Sequence, residues 1–224
     1  SYVQLASLLR YRLERADDAD AWMDKMVEAN PEAARAYIIR SGYFRRTGRF
    51  EKGEADAAKA LELAPDDEDA LLAGAEDAME NEHYDVARKH AERAVELQPK
   101  SVRGYAALSM IEARAQRRDA AKEWINKGLA ATENHPELLF RKAQYLLEDR
   151  DVEQAEPVID QLTAMRFPQP LLVYLRAYRD YIRGDWAQAS RALEQNRTEL
   201  LQMAGYTALA RQADIVMAEC YQRL

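Results

Sequence analysis

Small residues recur every 34 positions along this chain of 224 residues. The first series is Ala19, Gly53, Ala87, Ala121, Ala155 and Ala189, and the second is Ser7, Ser41, Ala75, Ser109, Ala143 and Ala177. A period of this length is typical of a repeat array, in which each unit buries its apolar face against its neighbours. The small residues mark places where two helix backbones come close, because a larger side chain would clash there.

The residues between the small positions favour helix nearly throughout, since the chain has only 8 Gly and 7 Pro. Pro31, Pro65 and Pro99 keep the step of 34. Each is expected to end a helix, because proline lacks an N–H and restricts the residue before it. Gly48 is expected to end another helix in the left-handed conformation. The sequence therefore predicts two helices and a tight turn in each unit.

One motif follows this period: an aromatic residue, a small residue three positions later, an alanine seven further and a proline five beyond that. It reads Phe50-Gly53-Ala60-Pro65 in one unit, Tyr84-Ala87-Ala94-Pro99 in the next, and in part Trp186-Ala189. The motif resembles the tetratricopeptide repeat (TPR) family. The resemblance implies an all-α fold, a right-handed superhelical solenoid of antiparallel helix pairs with about six repeats and a partial seventh.

We expect one solenoid over residues 1–224. Its units are predicted at 1–33, 34–67, 68–101, 102–135, 136–169 and 170–203, followed by a C-terminal helix at 205–224. The register slips near the end, and a lengthened second helix or a loop around 198–205 would explain the slip. The last helix carries Ile215, Ala218, Tyr221 and Leu224 at helical spacing, with Ala218 as its small position.

Charge and composition narrow the class of partner. The formal net charge is −7, whereas a general nucleic-acid binder usually has a basic surface. No apolar run is long enough to span a membrane. The single cysteine, Cys220, forms no internal disulfide and is expected to pack as a small apolar residue. We favour a cytoplasmic location; the periplasm is the alternative if an upstream signal has been removed.

No motif of a known catalytic site is present. The chain lacks a phosphate-binding loop, a nucleophile elbow and the spacings of zinc sites. His83, His90 and His135 do not have the spacing of metal ligands. We therefore predict a protein that is not an enzyme and that has no cofactor and no metal.

In the TPR family the first helix of each repeat lines a concave groove, so the resemblance implies that outward-pointing positions of these helices contact a partner. These positions are Arg35, Ile38, Arg45, Arg46, Arg103, Met110, Arg114, Phe140, Gln144, Tyr174, Tyr178 and Tyr181. Arginine suits carboxylates and tyrosine gives a large contact area with a polar tip. The expected ligand is an extended or helical peptide, acidic toward the N-terminal half and apolar toward the C-terminal half. The alternative is that the arginines pair with adjacent acids and the tyrosines pack on neighbouring helices.

Some TPR co-chaperones hold a peptide's terminal carboxylate with Lys and Asn of adjacent first helices. The corresponding positions here are Gln4, Leu8, Ile39, Asp69 and Ala73, so this clamp is not expected. The predicted function is a protein–protein interaction scaffold that binds a partner segment in the groove. Two alternatives stay open: a regulatory or scaffolding region of a larger enzyme, and an array that self-associates through its end repeats.

Overall fold

The computed structural model describes residues 2–203 and 206–224, and that part contains thirteen α-helices and no strand. The helices form two compact units, one ending at Thr132 and the other beginning at Glu133. The N-terminal unit contains α1 (Tyr2–Tyr11), α2 (Ala16–Glu28), α3 (Ala34–Arg46), α4 (Phe50–Leu63), α5 (Glu68–Glu80), α6 (Tyr84–Leu97), α7 (Val102–Arg114) and α8 (Arg118–Ala131). The C-terminal unit contains α9 (Pro136–Glu148), α10 (Val152–Ala164), α11 (Gln169–Arg183), α12 (Trp186–Gln202) and α13 (Thr207–Arg223).

Successive helices pack as hairpins, because short turns join α1 to α2, α3 to α4, and so on through α11 to α12. Within each unit, a second set of contacts joins first helices of successive repeats. In the N-terminal unit α5 touches both α3 and α7, and in the C-terminal unit α11 touches both α9 and α13. Each unit therefore has one face formed by first helices alone.

The turn inside each hairpin has a left-handed residue, and this residue also recurs every 34 positions. Gly48 and Gly184 adopt φ angles of 74° and 91° at the first-helix ends. The same conformation is held by non-glycine residues, namely Glu14, Glu82, Gln116 and Arg150. It is stabilised by a backbone bond across the turn, such as Arg49 N–H to the Phe44 carbonyl (2.9 Å). This bond offsets the cost of a left-handed non-glycine residue, about 1–2 kcal/mol.

The small-residue series lie where helices meet, as the sequence predicts. All six members of the first series are buried, and so are five of the second, with only Ser7 half-buried. Large aliphatic side chains fill the remaining space. In the N-terminal unit, Leu71, Leu108 and Ile111 belong to one core cluster. In the C-terminal unit, fully buried leucines such as Leu147 and Leu175 fill the space between the helices.

The register slip near the end has its origin in α12, which has 17 residues where α10 has 13. The lengthened second helix therefore accounts for residues 198–202, while Ala204 and Gly205 lie outside the described residues. The prediction that Ala218 is the close-packed position of α13 is wrong, because Ala218 is exposed. The predicted stripe lies on the solvent side of the helix. Its buried side consists of Leu209, Ala210, Ala213, Val216 and Cys220.

Buried carboxylates hold neighbouring helices together by ion pairs. Glu112 of α7 is 2% exposed, and it accepts hydrogen bonds from Arg88 of α6 and from Arg117 in the turn before α8. Burial raises the pKa of Glu112, but the two guanidinium groups lower it further, so that its pKa lies below the usual value of 4.5. The charged form of Glu112 is therefore the one that the fold stabilises.

Candidate functional site

The first-helix face of the N-terminal unit carries a ladder of ion pairs between successive repeats. Arg45 of α3 pairs with Glu76 of α5, and Arg103 of α7 pairs with Asp69 of α5. Arg114 of α7 donates to Glu80 of α5 at 2.9 Å. These three arginines were predicted to contact a partner. In the structure each of them pairs with an acid on the adjacent first helix, as in the alternative in which the arginines pair with adjacent acids.

The other predicted residues of this face differ in accessibility. Ile38 and Met110 are half-buried, whereas Arg35 and Arg46 are exposed. In the part of the chain that the structure describes, neither Arg35 nor Arg46 has an acidic side chain within ion-pair distance. These two arginines are therefore the cations of the predicted set that are available to an acidic ligand.

Asp77 lies beneath this ladder, and its side chain has no exposed surface. The Ser41 hydroxyl donates to its Oδ2 atom, and Nη1 of Arg45 lies 3.2 Å from the same oxygen. The second oxygen, Oδ1, has no hydrogen-bond partner in the structure. Burial raises the pKa of Asp77 more than Ser41 and Arg45 lower it, so that the pKa lies above the usual 3.8. The fold thus disfavours the charged form of Asp77.

Replacing Asp77 by asparagine should change the free energy of unfolding by less than about 1 kcal/mol at neutral pH, or should raise it. Asparagine keeps the acceptor for Ser41 and removes a charge whose burial is costly. Because the folded pKa is raised, the wild type gains stability as pH falls through that pKa, and asparagine does not. Denaturant unfolding of both proteins at neutral and mildly acidic pH tests this. A loss above about 2 kcal/mol would mean that the charged pair with Arg45 stabilises the fold.

The C-terminal unit has a cleft of about 230 Å³ on its first-helix face. Leu147 and Glu148 of α9 form one side, Tyr178 and Tyr181 of α11 the middle, and Ile215 and Glu219 of α13 the other side. Arg150, the left-handed residue after α9, closes one end and donates weakly to the Ile182 carbonyl (3.5 Å). The cleft is smaller than the roughly 300–1,000 Å³ of typical small-molecule sites, so it suits one or two side chains.

Three tyrosines of α11 form a row, as their spacing predicts. The ring centroids of Tyr174 and Tyr178 are 6.1 Å apart, and those of Tyr178 and Tyr181 are 6.0 Å apart. The Tyr181 hydroxyl donates to Glu219, and this hydrogen bond, together with burial, raises the pKa of Tyr181. Burial, followed by the charge of Glu148, raises the pKa of Tyr178. Both hydroxyls therefore remain protonated donors at neutral pH.

Two predicted contact residues of this unit are not accessible. Phe140 is 4% exposed and Tyr174 is 2% exposed, so the expectation that they face a groove needs correction. Phe140 packs against Phe167 and Tyr206, with ring centroids 5.5 and 6.2 Å away. Gln144 is half-buried. Tyr178 and Tyr181, both half-buried, are the predicted residues that the structure brings together in the cleft.

The sequence analysis missed the side of the cleft formed by α13. Glu219, Ile215 and Gln212 line it, and none of them was assigned to the groove, because the lengthened α12 shifts α13 out of the 34-residue register. Arg150 was also missed. Its position in the turn series of Gly48 and Gly184 is the signal that could have found it.

A more open hollow of about 300 Å³ lies in the N-terminal unit, where the first turn of α6 meets Arg117. His83 lines it and contacts Glu54 at 3.2 Å. Among the described residues, no group of three or more His, Cys, Asp or Glu could hold a metal ion. The hollow lacks the aromatic row of the other cleft, so the C-terminal cleft is the stronger candidate.

The helix hairpins, the 34-residue step and the face of first helices define an all-α helical-repeat protein of the solenoid class. The sequence model of the tetratricopeptide repeat matches residues 5–68 and 72–136, more than half of the chain. The chain therefore belongs to the tetratricopeptide repeat family. Proteins of this family are typically non-catalytic scaffolds for protein partners. Within the described residues, none of the helices has the length and apolar character needed to cross a lipid bilayer.

Solved structures share this fold at low sequence identity. A tetratricopeptide repeat protein from Parabacteroides merdae aligns with a TM-score of 0.72 and 15% identity, over 97% of this chain and 83% of its own. Pseudomonas aeruginosa pilF aligns with a TM-score of 0.61 and 19% identity, over 94% of this chain and 96% of its own. A thermophilic TPR protein from Thermus thermophilus aligns with a TM-score of 0.64 and 16% identity, over 85% of this chain and 100% of its own. No curated protein matches the sequence significantly.

Proposed function

We propose that this protein is a non-enzymatic scaffold that binds an extended or helical segment of a partner protein, and that the C-terminal cleft is a point of contact. The observation that carries the proposal is Tyr178. Its ring is half-buried between α9 and α13, yet its hydroxyl makes no hydrogen bond to the described residues. A tyrosine of this kind offers a large rigid surface and an unused donor, which are typical of residues that dominate binding energy.

The scaffold itself explains why binding would carry little ordering cost. The cleft is formed by three helices that are fixed by their own cores, so the protein does not need to order a loop to receive a ligand. In the N-terminal unit, the exposed Arg35 and Arg46 are the proposed contacts for acidic side chains of the same or another partner segment.

We expect Tyr178→Ala to weaken binding of a cleft-bound peptide by about tenfold or more, as truncation of a central aromatic anchor does. The 224-residue chain would select peptides from a phage-displayed random library, and affinities of the selected peptides would be measured by fluorescence polarisation. Tyr221→Ala is the matched control, because Tyr221 lies on α13 outside the cleft and is exposed.

Far-UV circular dichroism must show that both variants remain helical. Selected peptides that bind equally well to the wild type, Tyr178→Ala and Tyr221→Ala would contradict the location of the site. A failure to select any peptide would contradict the proposed function.

A further inference from the structure

The ionisable side chains that line the C-terminal cleft, apart from its tyrosines, are two carboxylates, Glu148 and Glu219, and one guanidinium, that of Arg150. The Arg150 guanidinium is directed to the Ile182 carbonyl at the end of α11, where the helix dipole also favours a cation. Both carboxylates raise the pKa of Tyr178, after burial as the main cause, and Arg150 lowers it less. At Tyr178 the two carboxylates therefore outweigh the Arg150 guanidinium.

The tyrosine row gives this site an aromatic surface. Its middle ring, that of Tyr178, is neither fully buried nor in contact with a cation of the described residues. Tyr174 is buried, and the Arg223 guanidinium lies 5.7 Å from the Tyr181 ring centroid. Over Tyr178 there is no cation in the described part of the chain. A ring face beside the Glu219 carboxylate is a favourable place for a cation, because the ring quadrupole and the acid both attract it.

The chain provides an internal example of this recognition. Arg223 is 5.5 Å from the Trp186 ring centroid as well as 5.7 Å from that of Tyr181, so one guanidinium is held between two aromatic rings at the edge of the cleft. Tyr178, one turn earlier on α11, presents a similar ring without such a partner.

We infer that the C-terminal cleft binds a lysine or arginine side chain of a partner segment, whose cation lies over the Tyr178 ring and near Glu219. This inference rests on the proposed function and adds to it the chemistry of the ligand. The volume of about 230 Å³ suits one long side chain. The apolar groups of Leu147 and Ile215 would contact its methylene stem or a neighbouring apolar residue.

Three pools of capped, fluorescein-labelled octapeptides test the inference on the 224-residue chain by fluorescence polarisation. The pools share random Ala, Leu and Ser flanks and differ only in the central residue, which is lysine, norleucine or glutamate. Norleucine keeps the methylenes of lysine and removes its charge. We expect the lysine pool to bind about 3- to 10-fold more tightly than the norleucine pool. The glutamate pool should bind most weakly of the three.

Two substitutions separate the sources of this preference. Glu219→Gln should remove most of the preference for lysine, because glutamine retains an acceptor for Tyr181 but no charge. Tyr178→Leu keeps apolar bulk and removes the aromatic face, and it should reduce the preference as well. The matched controls are Glu194→Gln and Tyr221→Leu, whose native side chains contact each other on α12 and α13 outside the cleft. Both controls should retain the wild-type preference.

The outcomes distinguish this inference from the proposed function. Equal binding of the lysine and norleucine pools, lost in both cases with Tyr178→Leu, would overturn the charge preference and leave peptide binding intact. A lysine preference that survives both cleft substitutions would overturn the location. Self-association in sedimentation experiments that only Tyr178→Leu abolishes would assign the cleft to a second copy of the chain. Binding of no pool at millimolar concentration would overturn both proposals.

Discussion

Replacing Glu112 by alanine should lower the free energy of unfolding by about 2–4 kcal/mol, because removal of one member of a buried ion pair leaves its partners uncompensated. The Arg117 guanidinium would lose its acid, and that of Arg88 would keep only the more distant and exposed Asp85, at 3.8 Å. Both guanidinium groups are partly exposed and are able to turn to water, so the expected loss is at the lower end of the range for buried pairs. Urea denaturation of the full chain, followed by far-UV circular dichroism, measures the change.

The effect of Glu112→Ala should also depend on pH. Because the folded pKa of Glu112 is lowered, its contribution is complete above the unfolded value of about 4.5 and is lost as pH falls through the folded pKa. The difference between wild type and variant should thus stay constant from neutral pH to about 4.5 and shrink at more acidic pH. The effect of acid on the contribution of Glu112 is thus opposite to its effect on that of Asp77, whose folded pKa is raised.

Glu80→Ala is the control for Glu112→Ala. Glu80 also pairs with an arginine of a neighbouring repeat, Arg114, but that guanidinium is exposed. Such surface pairs contribute about 0–1 kcal/mol. Equal losses for the two variants would mean that burial of Glu112 does not determine its contribution.

The 34-residue series shows why most of the fold could be predicted from the sequence. Small residues such as Ala87 and Ala121 are required by contacts between backbones, so their spacing reports the geometry of the array directly. The turn at Glu82 shows where this reasoning stops. Its left-handed conformation is held by hydrogen bonds across the turn, so the glutamate itself gives no signal, and only its place in the 34-residue series of Gly48 and Gly184 indicates the turn.

The candidate site could be predicted only in part, for two physical reasons. The outward-pointing arginines Arg45, Arg103 and Arg114 have acids one repeat away, and a single helix pattern does not show which charges will meet. The cleft also depends on α13, which the lengthened α12 moves out of register. Tyr178 and Tyr181 were found because their spacing places them on the same helix face whatever follows them in the chain.

Gly53→Ala should destabilise the protein by about 1–3 kcal/mol, the usual cost of overpacking a close contact. A Cβ atom at Gly53 would lie 2.6 Å from Oδ1 of Asp77 and 3.4 Å from the Ser41 carbonyl oxygen. Asp77 cannot move away easily, because it is buried and is held by Ser41 and Arg45. The expected sign is opposite to the general rule, since Gly→Ala inside a helix usually stabilises by about 1 kcal/mol. Thermal and urea unfolding measure the change.

Gly42→Ala is the matched control, because Gly42 lies inside α3 and a Cβ atom there would meet only the far ends of two long side chains, Nη1 of Arg46 at 3.4 Å and Nη2 of Arg45 at 3.8 Å. This variant should follow the general rule and raise the free energy of unfolding by up to about 1 kcal/mol. In an Asp77→Ala background the obstacle is gone, so Gly53→Ala should then become neutral or stabilising. If Gly53→Ala stabilises the wild type as Gly42→Ala does, the Asp77 carboxylate is not fixed against α4. If it destabilises equally in both backgrounds, the Ser41 backbone is the obstacle instead, and the glycine is required by the approach of α3 to α4.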